Sequence, residues 1–352
     1  MDVKPLLRSL VPDQLAGLIA KAGLPSYRGD QLADWLFARG VFSWEEMTNL
    51  PQALREDLAE RFDLSGLETE ERQVSDDGTR KFLFRLRDGT TVESVIIPMD
   101  EHVTFCISTQ VGCAMACRFC ATARGGLVRN LESGEILEQV LRLRADLADN
   151  PIDGLGKRQF NVVYMGMGEP LDNWDAVADS LTGMMDPKGL AMSRRRIQIS
   201  TSGPGDGLRR MVAAEPGVGL TISLGGSTDA ERKTVMPVPG RTSIGEALDL
   251  VVQYVRLTGR RATVAWVLIA GQTDDLDQAG RLARLLRGKP LKVNLIPLNP
   301  LDDAKLLPPA EKDIQAFRRV LTDAGIDTFI RVSGGQDIAA ACGQLRRRRL
   351  RS

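Results

Sequence analysis

Residues 112–122 read GCAMACRFCAT, and this stretch holds three of the chain's five cysteines, Cys113, Cys117 and Cys120. The C-x3-C-x2-C spacing allows the three thiolates to face one side of a tight loop and to ligate a soft metal centre. An iron-sulfur cubane held in this way keeps one iron open to a small molecule, to which it can pass an electron. A zinc site completed by Cys106 is the alternative, because structural zinc takes four ligands. Chance proximity of the cysteines is the remaining explanation.

Apolar runs typical of buried strands alternate with amphipathic helical stretches on the carboxyl side of this loop and around it. Such alternation predicts βα units and a parallel sheet, here an α/β fold with an open, partial β/α barrel of about six strands. A further strand, DTFIRVS, and a short helix, AAACGQLRR, are predicted near the end. The six runs are HVTFCIS (102–108), QFNVVYMG (159–166), RIQIST (196–201), GLTISL (219–224), ATVAWVLI (262–269) and LKVNLIPL (291–298).

The first part of the chain has a different pattern. Residues 1–75 contain short helical segments and predict a small helical accessory domain. Residues 76–100 alternate around Asp77-Gly78 and Asp88-Gly89, which predicts a β-hairpin connection. The barrel is expected over residues 101–340. Residues 341–352 form a C-terminal segment that contains Cys342 and the basic tail RRRRLRS.

Composition limits the class of protein. With 43% hydrophobic and 26% charged residues, the chain of 352 residues is typical of a soluble globular protein. No apolar run approaches the roughly 18 to 20 residues of a membrane span, and the start lacks the apolar core of a signal peptide. We therefore expect a cytoplasmic monomer without a membrane partner. The single histidine, His102, excludes a His-rich zinc site and argues against a Ser-His-Asp triad.

Charge is distributed unevenly along the chain. Residues 1–80 hold 15 acidic and 9 basic side chains, a net charge of −6, which leaves +6 for the remainder of a chain with no net charge. The first part is therefore poorly suited to a phosphate backbone. Pairs and runs of arginine elsewhere could replace it or could be solvated helix faces, at 194–196, 209–210, 260–261 and 346–349.

Distinctive residues follow most of the predicted strands. In barrels the loops after the carboxyl ends of the strands build the active site. Single glycines, serines or prolines there are better explained as loop residues, but several such loops around a cysteine cluster favour a site. The residues of interest are Gly168, Glu169, Ser200, Ser223 and Asn299.

These features together resemble a known family over nearly the whole chain. The cysteine spacing is similar to that of the radical S-adenosylmethionine (SAM) superfamily. The wider pattern resembles the branch of dual-specificity 23S ribosomal RNA and transfer RNA adenine C2 methyltransferases, with the related C8 resistance methyltransferases. The segments that carry it are RGDQLADWLFARGVFSWEEMTNLPQALRE, DGTRKFLFRLRDGTTVESVIIP, CISTQVGCAMACRFCATARGG, VVYMGMGEPLDN, ISTSG, NLIPLNP and AACGQL.

The resemblance implies that the accessory domain, residues 1–75, helps to bind RNA, and it implies a role for each matching residue. Cys342 would be methylated by one SAM, Cys106 would later attack it to form a disulfide, and Glu93 would accept a proton. Two SAM molecules would be used per turnover, with an external electron donor such as flavodoxin or ferredoxin. A 4Fe-4S cluster would be held by Cys113, Cys117 and Cys120, and SAM would be bound by Gly168, Glu169, Ser200, Ser223 and Asn299.

The chemistry explains why two cysteines outside the cluster are needed. Carbon C2 or C8 of adenine is electron-poor and cannot attack a sulfonium methyl group, so a radical route is required. A methylene radical on Cys342 would add to the base, and Cys106 would release the methylated product. Without the family, Cys342 would be taken as a buried helical cysteine and Glu93 as a solvated strand carboxylate.

The chain departs from the family at Gly225, where the family commonly has a His-Ala pair, so we expect only a backbone contact there. The sequence leaves C2 and C8 of adenine open, as well as another heteroaromatic substrate. A non-catalytic iron-sulfur module is the alternative from a different class, but it gives Cys106 and Cys342 no purpose.

Overall fold

A computed structural model of the protein describes residues 4–152, 154, 160–237, 242–301 and 305–346. Its strands are β1 (Leu67–Val74), β2 (Arg80–Leu86), β3 (Thr91–Pro98), β4 (Val103–Cys106), β5 (Gln110–Gly112), β6 (Leu127–Asn130), β7 (Phe160–Tyr164), β8 (Ile197–Thr201), β9 (Gly219–Ser223), β10 (Ala262–Leu268), β11 (Leu291–Pro297) and β12 (Thr328–Ile330).

Ten of these strands form one sheet in the order β1-β2-β3-β4-β7-β8-β9-β10-β11-β12. Strands β1 to β4 pair antiparallel, and the pairs from β4 through β12 are parallel. Strands β5 and β6 form a separate antiparallel hairpin. This arrangement confirms the predicted α/β fold with an open parallel sheet and a small N-terminal helical region.

Some helices precede the first strand of the sheet, and the others alternate with the later strands. The N-terminal helices are α1 (Pro12–Lys21), α2 (Tyr27–Ala33) and α3 (Gln52–Arg61), with a π-helical stretch, Asp34–Arg39, that continues α2. The others are α4 (Ala121–Arg124), α5 (Ser133–Asp149), α6 (Trp174–Met185), α7 (Gly205–Ala214), α8 (Asp229–Val235), α9 (Ile244–Thr258), α10 (Leu276–Leu286) and α11 (Glu311–Asp323). In the described residues, no helix is long and apolar enough to cross a membrane.

Two local expectations differ from the structure. Strand β1 begins at Leu67, inside the range expected to be helical. The sequence did not indicate it, because most of its side chains are exposed at the sheet edge and do not alternate with apolar ones. The expected AAACGQLRR helix is a series of turns over residues 341–344, and Gly343 has a φ of +84° that an α-helix does not accommodate. The basic tail from residue 347 onward lies outside the described residues.

The strand register brings one set of side chains together. Lys81, Val95, Cys106 and Val163 lie side by side across β2, β3, β4 and β7. Residues that pair directly point to the same face of a sheet, and so does Glu93, two residues from Val95 on β3. We call this surface the cysteine face.

Glu138 on α5 links the helical part to the barrel. Its carboxylate accepts hydrogen bonds from Ser65 Oγ and from the Gly66 N–H, each at 2.6 Å, and pairs with Arg142 at 2.9 Å. Residues 65–66 lead from α3 into β1. A fully buried carboxylate is stable only with such partners.

Glu138→Ala should lower the free energy of unfolding by about 3 kcal/mol, because it removes the acceptor from buried donors and from Arg142. Equilibrium urea unfolding of the apoprotein measures this loss. Asp149→Ala, an exposed position on the same helix, is the control and should stay within about 0.5 kcal/mol of the unaltered protein. Equal stabilities of the two variants would contradict the assigned link.

Candidate active site

The cysteine loop, residues 113–120, lies between β5 and α4 and is fixed by backbone hydrogen bonds. The Cys113 N–H donates to Gly126 O at 3.1 Å, and the Arg118 N–H donates to Val235 O at 3.0 Å. Gly112 has a φ of +82°, and a Cβ there would lie 1.9 Å from Gly126 O. Only glycine allows this crossing of the two backbones. The backbone that carries the three cysteines therefore has a defined conformation.

Two thiols of the cysteine loop, Cys113 and Cys117, are hard to ionise. Burial raises the pKa of Cys113 to about 12, and nearby Glu169 and Cys120 add to this effect. Burial also raises the pKa of Cys117, where Cys120 and Cys113 again disfavour the thiolate. Thiols in such a setting are suited to a cationic metal centre, which stabilises thiolates.

The number of ligands bears on the kind of metal site. In the part of the chain that the structure describes, no three His, Cys, Asp or Glu side chains are placed to hold a single ion. A structural zinc ion takes four ligands, and the cysteine loop supplies three. A four-iron cubane binds each thiolate through a different iron, and the three cysteines of the loop can supply three such ligands. The zinc alternative also required Cys106, which neighbours Cys342 instead.

The loop after β7, residues 165–170, is hydrogen-bonded to residues 108–110, which follow β4. The Met167 N–H donates to Ser108 Oγ at 2.8 Å, and the Glu169 N–H donates to Gln110 Oε1 at 2.8 Å. Gly168 has a φ of +106°, and a Cβ there would lie 2.7 Å from Gln110 Cβ. The missing side chain thus permits contact between these two segments, and the contact of Gly168 with SAM stays a prediction.

Glu169 is buried and joins the loops after β7 and β8. One carboxylate oxygen accepts from the Leu171 N–H at 3.0 Å and Thr201 Oγ1 at 2.6 Å, and the other from the Ser202 N–H at 2.7 Å and Ser202 Oγ at 2.8 Å. Burial raises the pKa of Glu169, and these hydrogen bonds oppose the shift. A carboxylate has about four acceptor positions, so a bound ligand would have to replace one of these donors.

Ser200 and Ser223 lie half-buried near the carboxyl ends of β8 and β9. Their neighbours Ile199 and Ile222 are fully buried in the hydrophobic core, so the two hydroxyls point to the opposite face of the sheet. Both serines therefore line the same side of the barrel. Their contact with SAM stays a prediction.

The local structure explains why position 225 is a glycine. Its φ is +70°, and a Cβ at this position would lie 2.6 Å from Met236 Cε. A histidine here would need both a strained backbone and a displaced methionine. The departure from the family pattern is thus matched by the local packing of this chain.

Cys106 and Cys342 are neighbours outside the cysteine loop, and both are free thiols. Burial raises the pKa of Cys106, and the nearby Cys342 adds to this effect. Cys342 is exposed, yet surrounding protein desolvates its thiol and raises its pKa, while a hydrogen bond with Ser333 opposes the shift. Cys342 is therefore accessible from solvent, whereas Cys106 is buried.

In the structure we use the name C-terminal segment for residues 333–346, a longer stretch than the sequence suggested at its start. Side chains and loops of the barrel hold this segment in place. Asn299 Nδ2 donates to Cys342 O and to Ser333 Oγ, each at 3.1 Å. The Ala121 N–H donates to Gly343 O at 2.7 Å, directly after the last cysteine of the loop. The amide of Asn299, expected to bind SAM, is thus used in this structure to position the backbone of Cys342.

Glu93 is buried on the cysteine face, so the alternative of a solvated strand carboxylate is wrong. Lys81 Nζ lies 3.8 Å from Glu93 Oε1, and the Arg346 N–H donates to Glu93 Oε2 at 2.8 Å. The strand register and these contacts place the carboxylate beneath the segment that carries Cys342. Its expected role as proton acceptor stays a prediction.

Sequence reasoning missed Lys81, Thr201, Ser202 and Ser333. Thr201 and Ser202 lie in the ISTSG motif, where only Ser200 was selected, and a strand-end polar cluster was the available signal. Lys81 had no signal, because the two carbonyls that accept its hydrogen bonds lie more than 250 residues away in sequence.

Several of the arginines considered for RNA contact have partners within the protein. Arg209 pairs with Asp206 and Glu246, and Arg261 pairs with Asp327. Arg260 donates to backbone carbonyls. These side chains are therefore less available to phosphates than their positions in the sequence indicated.

Two family matches cover the two parts of the chain. Residues 7–64 match the family described as "Ribosomal RNA large subunit methyltransferase N-terminal domain", and residues 107–283 match the "Radical SAM superfamily". The second match includes the cysteine loop, the loop after β7 and the ends of β8 and β9.

Curated relatives are similar over nearly the whole length. The "Dual-specificity RNA methyltransferase RlmN" of Anaeromyxobacter dehalogenans is 44% identical over 98% of this chain and 92% of its own. The "Probable dual-specificity RNA methyltransferase RlmN" of Moorella thermoacetica is 44% identical over 97% of this chain and 96% of its own. A crystal structure of a radical SAM methyltransferase from Sphaerobacter thermophilus matches with a TM-score of 0.91 and 39% identity, covering 97% of this chain and 99% of that one.

In reduced, cluster-loaded protein, iodoacetamide should modify Cys342 before Cys106, because only Cys342 is exposed. Since the pKa of Cys342 is raised, its thiolate fraction and alkylation rate should keep rising above about pH 9, where an ordinary thiol levels off. Peptide mass spectrometry after timed alkylation measures both rates. Cys342→Ser identifies the modified peptide. Faster modification of Cys106, or a plateau near pH 8, would contradict the assigned environments.

Proposed function

Since the chain belongs to the RlmN family of dual-specificity RNA methyltransferases, we propose that it uses Cys342 to deliver a methyl-derived carbon to C2 of adenine in 23S ribosomal RNA and transfer RNA. The protein is a radical SAM enzyme that methylates RNA. It uses a 4Fe-4S cluster and two SAM molecules per turnover. The observation that carries the assignment of Cys342 is its exposure next to the buried Cys106.

We assign the cluster to three residues of the cysteine loop. When bound, the cluster and SAM supply the one-electron chemistry that an electron-poor adenine carbon requires. The loop after β7 and the ends of β8 and β9 border the same edge of the sheet as the cysteine loop, which supports binding of SAM there. The proposed residues are Cys113, Cys117 and Cys120 for the cluster, and Gly168, Glu169, Ser200, Ser223 and Asn299 for SAM.

Within this group, two residues act mainly by holding other parts of the site in place. The four hydrogen bonds of Glu169 keep the loops after β7 and β8 at a fixed separation. Asn299 holds the carbonyl of Cys342 and so links the SAM site to the methyl carrier. Both side chains therefore support the geometry of the site, whichever atoms of SAM they contact.

The remaining steps belong to three residues of the cysteine face and the C-terminal segment. The Cys342 thiolate takes a methyl group by displacement and later joins the base through a thioether. Cys106 attacks the sulfur of Cys342 and forms a disulfide with it, while the carbon–sulfur bond to the product breaks. The electron pair of that bond stays with the product carbon, which takes up a proton and becomes the methyl group. Glu93 accepts the proton that the base loses. Its burial beneath the C-terminal segment supports this role.

We further propose that an external donor such as flavodoxin or ferredoxin supplies the electron, because no residue of the site is a low-potential reductant. We propose that the protein acts as a monomer. We also propose that it acts in the cytoplasm, where ribosomal and transfer RNA are found.

Methylation at C8 is the alternative, and nucleoside mass spectrometry distinguishes it. Ribosomal and transfer RNA incubated with reconstituted protein, SAM and a reductant should yield 2-methyladenosine, which chromatography separates from 8-methyladenosine. A Cys342→Ala protein is the control and should yield neither. Only 8-methyladenosine, or no methylated adenosine, would contradict the proposed function.

Anaerobically reconstituted protein should carry about four irons per chain and show an absorption spectrum that changes on addition of SAM. Cys117→Ala should lose both properties, because two thiolates remain. Iron analysis and absorption spectroscopy measure them. Cys106→Ala is a matched control and should keep the cluster. Stoichiometric zinc without iron would overturn the cluster assignment.

Cys106→Ala should still allow methylation of Cys342 and attack on the base, but should trap the protein on its RNA, because the resolving thiol is gone. Cys342→Ala should form no adduct. Denaturing gel electrophoresis with labelled RNA measures the trapped fraction. Methylation by both variants at the rate of the unaltered protein would show that the two thiols serve only packing.

A further inference from the structure

Lys81 on β2 is a buried ammonium on the cysteine face. It is 3% exposed, and it lies in the same cross-strand row as Cys106, with Val95 between them. A lysine is almost never fully buried unless it is paired. The partners of Lys81 should therefore reveal what the charge is for.

These partners belong to the C-terminal segment and to Glu93. Lys81 Nζ donates to the carbonyls of Ile338 and Ala339, the latter at 3.3 Å, and lies 3.8 Å from Glu93 Oε1. Glu93 Oε2 in turn accepts the Arg346 N–H at 2.8 Å. The two charges thus bind the C-terminal segment on both sides of Cys342.

The backbone of the segment needs such support. Ala339 has a φ of +50°, a left-handed conformation that is unfavourable for alanine. Strained positions of this kind persist where surrounding contacts determine them. The carbonyl of the strained residue is one of the two that accept from Lys81. Hydrogen bonds to a charged donor are stronger than neutral ones, which suits them to this task.

We infer that Lys81 is a positioning residue for the methyl transfer, whose ammonium fixes residues 338–339 and orients Glu93 so that Cys342 stands over Cys106. The inference rests on the proposed function of Cys342, Cys106 and Glu93. Lys81 itself touches neither RNA nor SAM in this role. Its effect is carried by the backbone of the C-terminal segment.

Lys81→Met tests this role, because methionine fills a similar length without a charge or a donor. Lys81→Arg keeps the charge and should rescue. Arg80→Met is the matched control: Arg80 is the next residue on β2, is also buried, and pairs with Asp146 on α5 at 2.9 Å. It points away from the cysteine face.

Two measurements are made on the cluster-loaded full chain. Hydrogen exchange of residues 335–346 reports the segment directly, and RNA methylation rate and SAM affinity report the reaction. For Lys81→Met we expect exchange to rise about tenfold or more and the maximal rate to fall about a hundredfold, with iron content and SAM affinity unchanged. Arg80→Met should change neither the segment nor the rate.

The double variant Lys81→Met with Glu93→Gln removes both charges, so that its exchange can be measured even if an unpaired Glu93 prevents folding. Exchange equal to that of the unaltered protein in the single or the double variant would overturn the inference. A loosened segment with an unchanged rate in Lys81→Met would also overturn it. Failure of the proposed function is distinguishable, because the unaltered protein would then give no methylated RNA.

Discussion

The C-terminal segment carries Cys342 without forming a helix or a strand, so its backbone polar groups must find partners on the barrel beneath it. Asn299 binds the carbonyl of Cys342, Lys81 binds two carbonyls before it, and Glu93 accepts an N–H after it. A reactive cysteine on a free chain end would occupy many positions. Here side chains of the sheet substitute for regular secondary structure and define one.

A second polar network organises the opposite part of the site. Glu169 is buried and accepts four hydrogen bonds, which connect the loops after β7 and β8. Ser202 Oγ, which donates one of them, also lies 2.9 Å from Met115 Sδ in the cysteine loop. Burying a carboxylate costs free energy unless all its acceptor positions are used. The network therefore couples the positions of the cysteine loop and the loops after β7 and β8. Loss of one hydrogen bond would affect all three loops.

The fold and the location of the site followed from local patterns in the sequence, but the contacts between distant segments did not. The alternation of apolar runs with helices predicted the parallel sheet, and the cysteine spacing predicted a metal loop beside it. Strand β1 was missed because exposed charged residues conceal its alternation. Lys81 was missed because a lysine in a strand usually faces solvent, and only the folded chain brings residues 338–339 above it. Glu169 was expected to meet a ligand, and the structure adds four protein donors that no spacing rule reveals.

The central claim is that Cys106 and Cys342 act as a pair, with one sulfur released from the product by the other. Peptide mass spectrometry of the unaltered protein after one turnover, in the absence of a thiol reductant, tests it most directly. The account predicts one Cys106 to Cys342 disulfide for each methylated adenine formed. Methylated RNA in a sample whose Cys106 and Cys342 are both still free thiols would contradict it.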